Sequence, residues 1–157
     1  LLNMGMSLSP TNAFQFIQGL ETLPLRMEKH VENAKKLAEW LKNHSNVSWV
    51  NYTGFSDHDS YDNCNKYLNG RFPTVFTFGL NGGYDSAKSF IDSVKFASHL
   101  ANVGDAKTLV IHPSSTTHQQ LGESEQQAAG VLPDMIRVSV GLERIDDITA
   151  DFEQAMN

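Results

Sequence analysis

Met135-Ile136-Arg137-Val138-Ser139-Val140-Gly141-Leu142-Glu143 is the stretch on which the reading of this chain turns. Ile136, Val138 and Val140 alternate with Met135, Arg137 and Ser139. A period of two puts three β-branched residues on one face of a strand and an arginine on the other. A guanidinium held on a strand is a rigid two-pronged donor whose geometry suits a carboxylate. Taken alone, the pattern also fits a surface arginine paired with a neighbouring acid.

Working outward, Pro73-Thr74-Val75-Phe76-Thr77-Phe78-Gly79-Leu80 is the strongest strand pattern, followed by a turn at Asn81-Gly82-Gly83. Thr108-Leu109-Val110-Ile111 and Val47-Ser48-Trp49-Val50-Asn51-Tyr52 read as two shorter strands. Between them, Ala87, Phe90, Ile91, Val94 and Ala97 mark one face of a helix that ends between Leu100 and Gly104. A short helix over Ser124 to Ala129 closes at Gly130, and a last helix runs from Asp146 to Met156.

Upstream, Ser9-Pro10-Thr11-Asn12 is a helix-start signal. Ala13, Phe16, Ile17, Leu20, Leu23, Met27, Val31, Ala34, Ala38 and Leu41 then form one apolar stripe over residues 10–43. Pro24 should kink that helix or divide it in two. The order helix, strand, strand, helix, strand, helix, strand, helix predicts an α+β fold. It is a two-layer sandwich in which helices pack on a small, mostly antiparallel sheet of about four strands. The long helix and a sheet-helix unit over residues 47–157 make one domain.

The chain has 157 residues, 40% hydrophobic and 19% charged, with a net charge of -6 and no basic run. That excludes nucleic acid and anionic membranes as main partners. No apolar run approaches the ~20 residues of a membrane helix. Cys64 is alone, as befits a reducing compartment. The opening Leu1-Leu2-Asn3-Met4 has neither an initiator Met at position 1 nor a signal-peptide pattern. It is expected to continue a longer protein.

Several clusters invite chemistry. Residues 53–71 hold Asp57, His58, Asp59, Asp62 and Cys64, but the spacing matches no metal-ligand pattern and the composition is that of a loop. No metal is expected. His112-Pro113-Ser114-Ser115-Thr116-Thr117-His118 offers Ser114 or Ser115 as nucleophile and His112 or His118 as base, without a G-x-S-x-G elbow. The alternative is a loop whose hydroxyls satisfy their own backbone. Asn102 reads either as a helix-terminus residue in the left-handed region or as an amide helping Arg137 hold an anion. The lysines on the helices, in the loop and at Lys107 all read as solvated side chains.

Three blocks resemble one family. Gly19-Leu20-Glu21-Thr22-Leu23-Pro24-Leu25-Arg26-Met27 with His30, Asn102-Val103-Gly104-Asp105-Ala106-Lys107-Thr108-Leu109 leading into His112 to His118, and Ile136 to Glu143 are similar to blocks of the Cys/Met-metabolism pyridoxal-phosphate enzymes. They come in the family's order and at its spacing. Ser115-Thr116-Thr117-His118, Gln126-Gln127-Ala128-Ala129-Gly130 and Ile145-Asp146-Asp147 are most similar to O-acetylhomoserine sulfhydrylases.

The resemblance implies the C-terminal small domain of an aspartate-aminotransferase-like fold, residues 1–157, with the large cofactor-binding domain outside it. Arg137 would grip the substrate α-carboxylate, with Asn102 and Thr117 beside it. No catalytic, pyridoxal-phosphate-binding or metal-binding residue would lie in this chain. The parent would be a cytoplasmic homo-oligomer, usually a tetramer, that replaces the acetate of O-acetylhomoserine with sulfide or a thiol. A γ-lyase or a cystathionine γ-synthase of the same family is the alternative reaction, and a non-catalytic assembly domain the alternative of another class. The chain alone is expected to be inactive and to expose apolar surface.

Overall fold

A computed structural model describes residues 4–5 and 7–157. Residues 1–3, read above as continuing a longer chain, lie outside the described residues. The apolar stripe of residues 10–43 forms two helices, α1 (Pro10–Glu21) and α2 (Leu23–Lys42). The hydroxyl of Ser9 caps α1 by accepting from the Asn12 amide at 3.2 Å. The helices meet at Thr22, and Pro24 stands in the first turn of α2, where its missing N–H costs nothing. The division expected at Pro24 is therefore present.

The sheet has order β1-β2-β5-β4-β3. Its strands are β1 (Val47–Asn51), β2 (Val75–Leu80), β3 (Ser98–His99), β4 (Leu109–Ile111) and β5 (Met135–Ser139). The β1–β2, β2–β5 and β4–β5 pairs are antiparallel, while β3 joins β4 in parallel. The expected sandwich holds with one strand more than the four foreseen. The extra one is a two-residue edge strand, too short to show a period in sequence.

Two other elements differ from expectation. Residues 53–71, read as a loop, contain α3 (Tyr61–Leu68). Aromatic contacts fix this region: Tyr61 stacks on Phe72 at 5.2 Å, and Tyr52 meets Phe55 and Phe76 edge-on. Asp57 and His58 have ordinary partners. Asp57 pairs with Lys42 at 3.2 Å, and His58 accepts from the Ser60 amide and so donates through Nε2 to Asn51. The second difference is α4 (Gly83–Ser93), which stops well before Leu100. The buried Asp151 carboxylate accepts the Lys95 and Ala97 amides at 2.8 and 2.9 Å, drawing the chain out of the helix. Ala97 stays in the core although it is no longer helical.

Helices α2, α4 and α6 (Ile145–Met156) cover one face of the sheet. There Phe76, Phe78, Ile136, Val138 and Val110 pack against Leu37, Leu41, Phe90, Ile148 and Phe152. Phe78, Phe90 and Phe152 form a mutually contacting triad at 5.1–6.1 Å. Glycine is required at Gly79, because a Cβ there would strike the Trp49 indole and the Asp134 carboxylate that the indole N–H donates to. The short helix α5 (Glu123–Ala128) ends as expected at a left-handed Gly130, φ +78.

Only the second half of the long stripe is buried. His30, Asn33, Ala34, Leu37, Ala38 and Leu41 face the core, whereas α1 buries no residue. Phe14, Phe16, Ile17, Leu20 and Leu25 are each more than half exposed.

Candidate substrate-binding site

Arg137 lies mid-strand, its Cα opposite Thr77 on β2 and Ile111 on β4. Its neighbours in sequence, Ile136 and Val138, are fully buried against the helices. Alternation therefore turns the guanidinium to the opposite face, half-buried. Nη2 donates to the Asn102 carbonyl oxygen at 3.4 Å. Among the described residues no carboxylate pairs with it. The surface ion pair allowed by the strand pattern is absent there, and a permanently charged two-pronged donor is left facing outward.

Asn102 is brought to Arg137 by the loop between β3 and β4, through its backbone rather than its amide. Its side-chain oxygen accepts from the Val103 amide at 2.9 Å. The helix-terminus reading fails. Asn102 stands nine residues past the end of α4, and the left-handed non-glycine residue is Asn69, φ 51, at the end of α3. Thr117 is exposed and bonds His118 Nδ1 at 2.8 Å, with no hydrogen bond to Arg137 or Asn102.

Beside Asn102 is an apolar recess of about 700 Å³. Met27 and Val31 of α2, Phe72 and Val75 at the start of β2, and Val103 next to Asn102 line it. Ser139 lies on the Arg137 face, directly opposite Val75 on β2, with a buried hydroxyl that finds no partner among the described residues.

The serine–histidine reading is half met. Ser115 Oγ lies 2.9 Å from His112 Nδ1, and Nε2 faces the Pro133 carbonyl at 2.8 Å, so the ring is the Nε2–H tautomer accepting from the hydroxyl. The orienting group is a carbonyl, not the acid the reading needs. Ser114 is taken up by Gln126, whose amide also donates to the carbonyls of Ser114, His118 and Leu121. These bonds close the turn on itself, as the loop alternative holds.

Sequence reasoning passed over the bonds that fix the exit of β5. His30 Nδ1 donates to the Val140 carbonyl at 2.7 Å. Asn33 donates to the Gly141 and Glu143 carbonyls at 2.9 and 2.8 Å. A histidine and an asparagine three apart on an otherwise apolar helix face were the available signal.

The model of the family described as Cys/Met metabolism PLP-dependent enzymes matches residues 2–157. This chain belongs to that family. It is 51% identical over 156 residues to an O-acetyl-L-homoserine sulfhydrylase of Thermus thermophilus, covering 99% of this chain and 37% of that one. It is also 51% identical to the homocysteine synthase of Schizosaccharomyces pombe, covering 36% of that protein. A Campylobacter jejuni structure described as an O-acetylhomoserine (thiol)-lyase, carrying a pyridoxyl-lysine phosphate, superposes with a TM-score of 0.86. That pair is 42% identical over 98% of this chain and 36% of the other. Cystathionine gamma-lyase of Lactobacillus plantarum gives 0.84 at 28% identity, with 98% of this chain and 40% of that one covered. The chain thus spans little more than a third of the length of these relatives.

The family is pyridoxal-phosphate-dependent, yet the described residues do not fit the attachment of that group. A lysine that forms a covalent bond to a carbonyl must be desolvated or crowded by charge. Here Lys29, Lys35, Lys36 and Lys42 pair with carboxylates, and Lys66, Lys88, Lys95 and Lys107 are exposed. Among the described residues no three His, Cys, Asp or Glu side chains converge as a metal site, and no helix is long and apolar enough to cross a membrane.

Proposed function

We propose that this chain is the C-terminal small domain of an O-acetyl-L-homoserine sulfhydrylase and supplies the grip on the substrate's α-carboxylate. The observation that carries the reading is the outward-facing Arg137 guanidinium, without an acid partner among the described residues and held by the Asn102 carbonyl. The guanidinium binds and orients the carboxylate, Asn102 holds the guanidinium, and Thr117 stands at the margin. Pyridoxal phosphate, carried by the remainder of the parent, is the electron sink that such chemistry uses. The whole reaction replaces the γ-acetate with sulfide or a thiol, giving homocysteine or methionine. The unburied stripe of α1 and the recess between Met27, Phe72 and Val103 fit a face that packs against the large domain. The parent is a cytoplasmic homo-oligomer, and the chain by itself is inactive.

The test uses the full-length enzyme with O-acetylhomoserine. Thiol-dependent release of acetate is expected. Release of ammonia and a 2-oxo acid without thiol would instead make the parent a γ-lyase, a reading favoured by the likeness to the Lactobacillus plantarum enzyme. Replacing Arg137 with alanine is expected to raise KM for the amino acid, and an unchanged kcat/KM would overturn the grip.

A further inference from the structure

We infer that Thr108 and Glu143 are positioning residues, a clasp that sets the separation between the Arg137 guanidinium and the Asn102 carbonyl. The inference rests on the reading of Arg137 as the carboxylate grip. Arg137 has a single bond of 3.4 Å on its own face, to a carbonyl carried by a different segment. The aim of the guanidinium therefore follows from how two pieces of backbone are held together. One is β5 with its continuation through Glu143. The other is the loop that runs from Asn102 to Thr108.

The clasp joins these two pieces where the β4–β5 ladder ends at Leu109 and Ser139. The Glu143 carboxylate accepts the Thr108 amide at 2.7 Å and the Thr108 hydroxyl at 2.9 Å. The same hydroxyl accepts the Gly141 amide at 3.0 Å, so its donor and acceptor capacities are both engaged. The Leu142 amide reaches the Ala106 carbonyl at 2.8 Å. Thr108 is wholly buried. Among the described residues no cation pairs with the Glu143 carboxylate, which spends its charge on the start of β4.

Close approach at this point is why residue 141 is glycine. A Cβ there would strike the Glu143 carboxylate, the Lys107 carbonyl carbon and the Thr108 amide. From the other side, His30 and Asn33 of α2 hold the carbonyls of Val140, Gly141 and Glu143. The exit of β5 is thus fixed from two directions, and the Asn102 loop is tied to it at that end through the side chains of Thr108 and Glu143.

The experiment measures steady-state kinetics of the full-length enzyme carrying Thr108→Val, Glu143→Gln or Thr108→Ser, each alone and combined with Arg137→Ala. Misplacing a binding group by a fraction of an ångström should raise KM for the amino-acid substrate about tenfold in Thr108→Val and in Glu143→Gln, with kcat within about twofold. Thr108→Ser keeps the hydroxyl and should keep the parental KM. In the Arg137→Ala background, Thr108→Val and Glu143→Gln should add little, because they act through the guanidinium already removed.

An additive effect in the double variants would overturn the clasp as a positioning device, as would loss of thermal stability with KM unchanged. Should Thr108→Val fail to fold, Glu143→Gln carries the same test. If Arg137→Ala itself leaves KM unchanged, the carboxylate grip fails. If Arg137→Ala raises KM while Thr108→Val and Glu143→Gln do not, the clasp fails alone.

Discussion

The two faces of the sheet obey different rules. On the helix-covered face, Phe76, Phe78, Val110, Ile136 and Val138 are apolar, nearly free of solvent and packed against residues of this same chain. On the other face, the polar Thr77, Arg137 and Ser139 stand among the apolar Val75, Leu109 and Ile111. There the guanidinium holds a single carbonyl at 3.4 Å, and the Ser139 hydroxyl finds no partner among the described residues. A face closed by apolar packing within the same chain is there for stability. The other face leaves its strongest donor outward, without an acid partner among the described residues. Both faces are built from the same strand, residue by residue in alternation, so one backbone positions the Arg137 guanidinium and anchors the core.

The sharpest way to break this comparison is to damage the helix-covered face. Phe78→Ala should remove about 3–5 kcal/mol of unfolding free energy, through lost burial and the cavity left beside Phe90 and Phe152. Chemical denaturation would show it, and a cost below 1 kcal/mol would mean that this face is not the core. On the other face, Arg137→Ala should cost about 2–4 kcal/mol of transition-state binding in the full-length enzyme while leaving its thermal midpoint nearly unchanged. A large drop in stability with intact kinetics would make Arg137 structural and erase the distinction.

Asp151 tests a polar group inside the helix-covered layer. Its carboxylate is the acceptor for the Lys95 and Ala97 amides, so Asp151→Ala should cost about 1–3 kcal/mol by leaving them unpaired. Equal stability of the variant and the parent would show that water replaces the carboxylate there.

The smallest effect is expected at Tyr52. Its hydroxyl is buried without a partner among the described residues. Burial, aided by the negative charge of Glu39, pushes its pKa up to about 12. The folded state thus keeps a proton that the unfolded chain begins to lose near pH 10. Stability from this group is complete below about pH 10 and declines as pH rises toward 12. Tyr52→Phe should change stability by less than about 1 kcal/mol at pH 7, since it removes an unpaired hydroxyl, and should flatten the decline above pH 10. An identical alkaline decline in the variant would assign it to other groups.

The long amphipathic stripe shows a second contrast. From Ala13 to Leu41 the spacing is uniform, and the sequence alone indicates a helix with one apolar side. Only from His30 onward does that side meet the sheet, because only there does α2 pack on β1 and bond the exit of β5. Along α1 the same spacing faces outward. Periodicity reports that a face is apolar. It carries no information about what covers that face.

Local chemistry, legible in the residues themselves, determined the strands around Phe78 and Arg137, the break near Pro24, the left-handed Gly130 and the separation of Arg137 from the core. Each follows from the steric preferences of a few neighbouring residues. Tertiary structure alone decided where α4 stops, since a carboxylate 54 residues away in sequence captures the Ala97 amide. It alone folded α3, through the stacking of Tyr61 on Phe72, which Tyr52 meets edge-on. It alone brought the Asn102 carbonyl to Arg137 and Glu143 to Thr108, each across 35 residues. Such pairings depend on the path of the chain between their partners, and that path is a property of the packed whole, which no window of neighbouring residues contains.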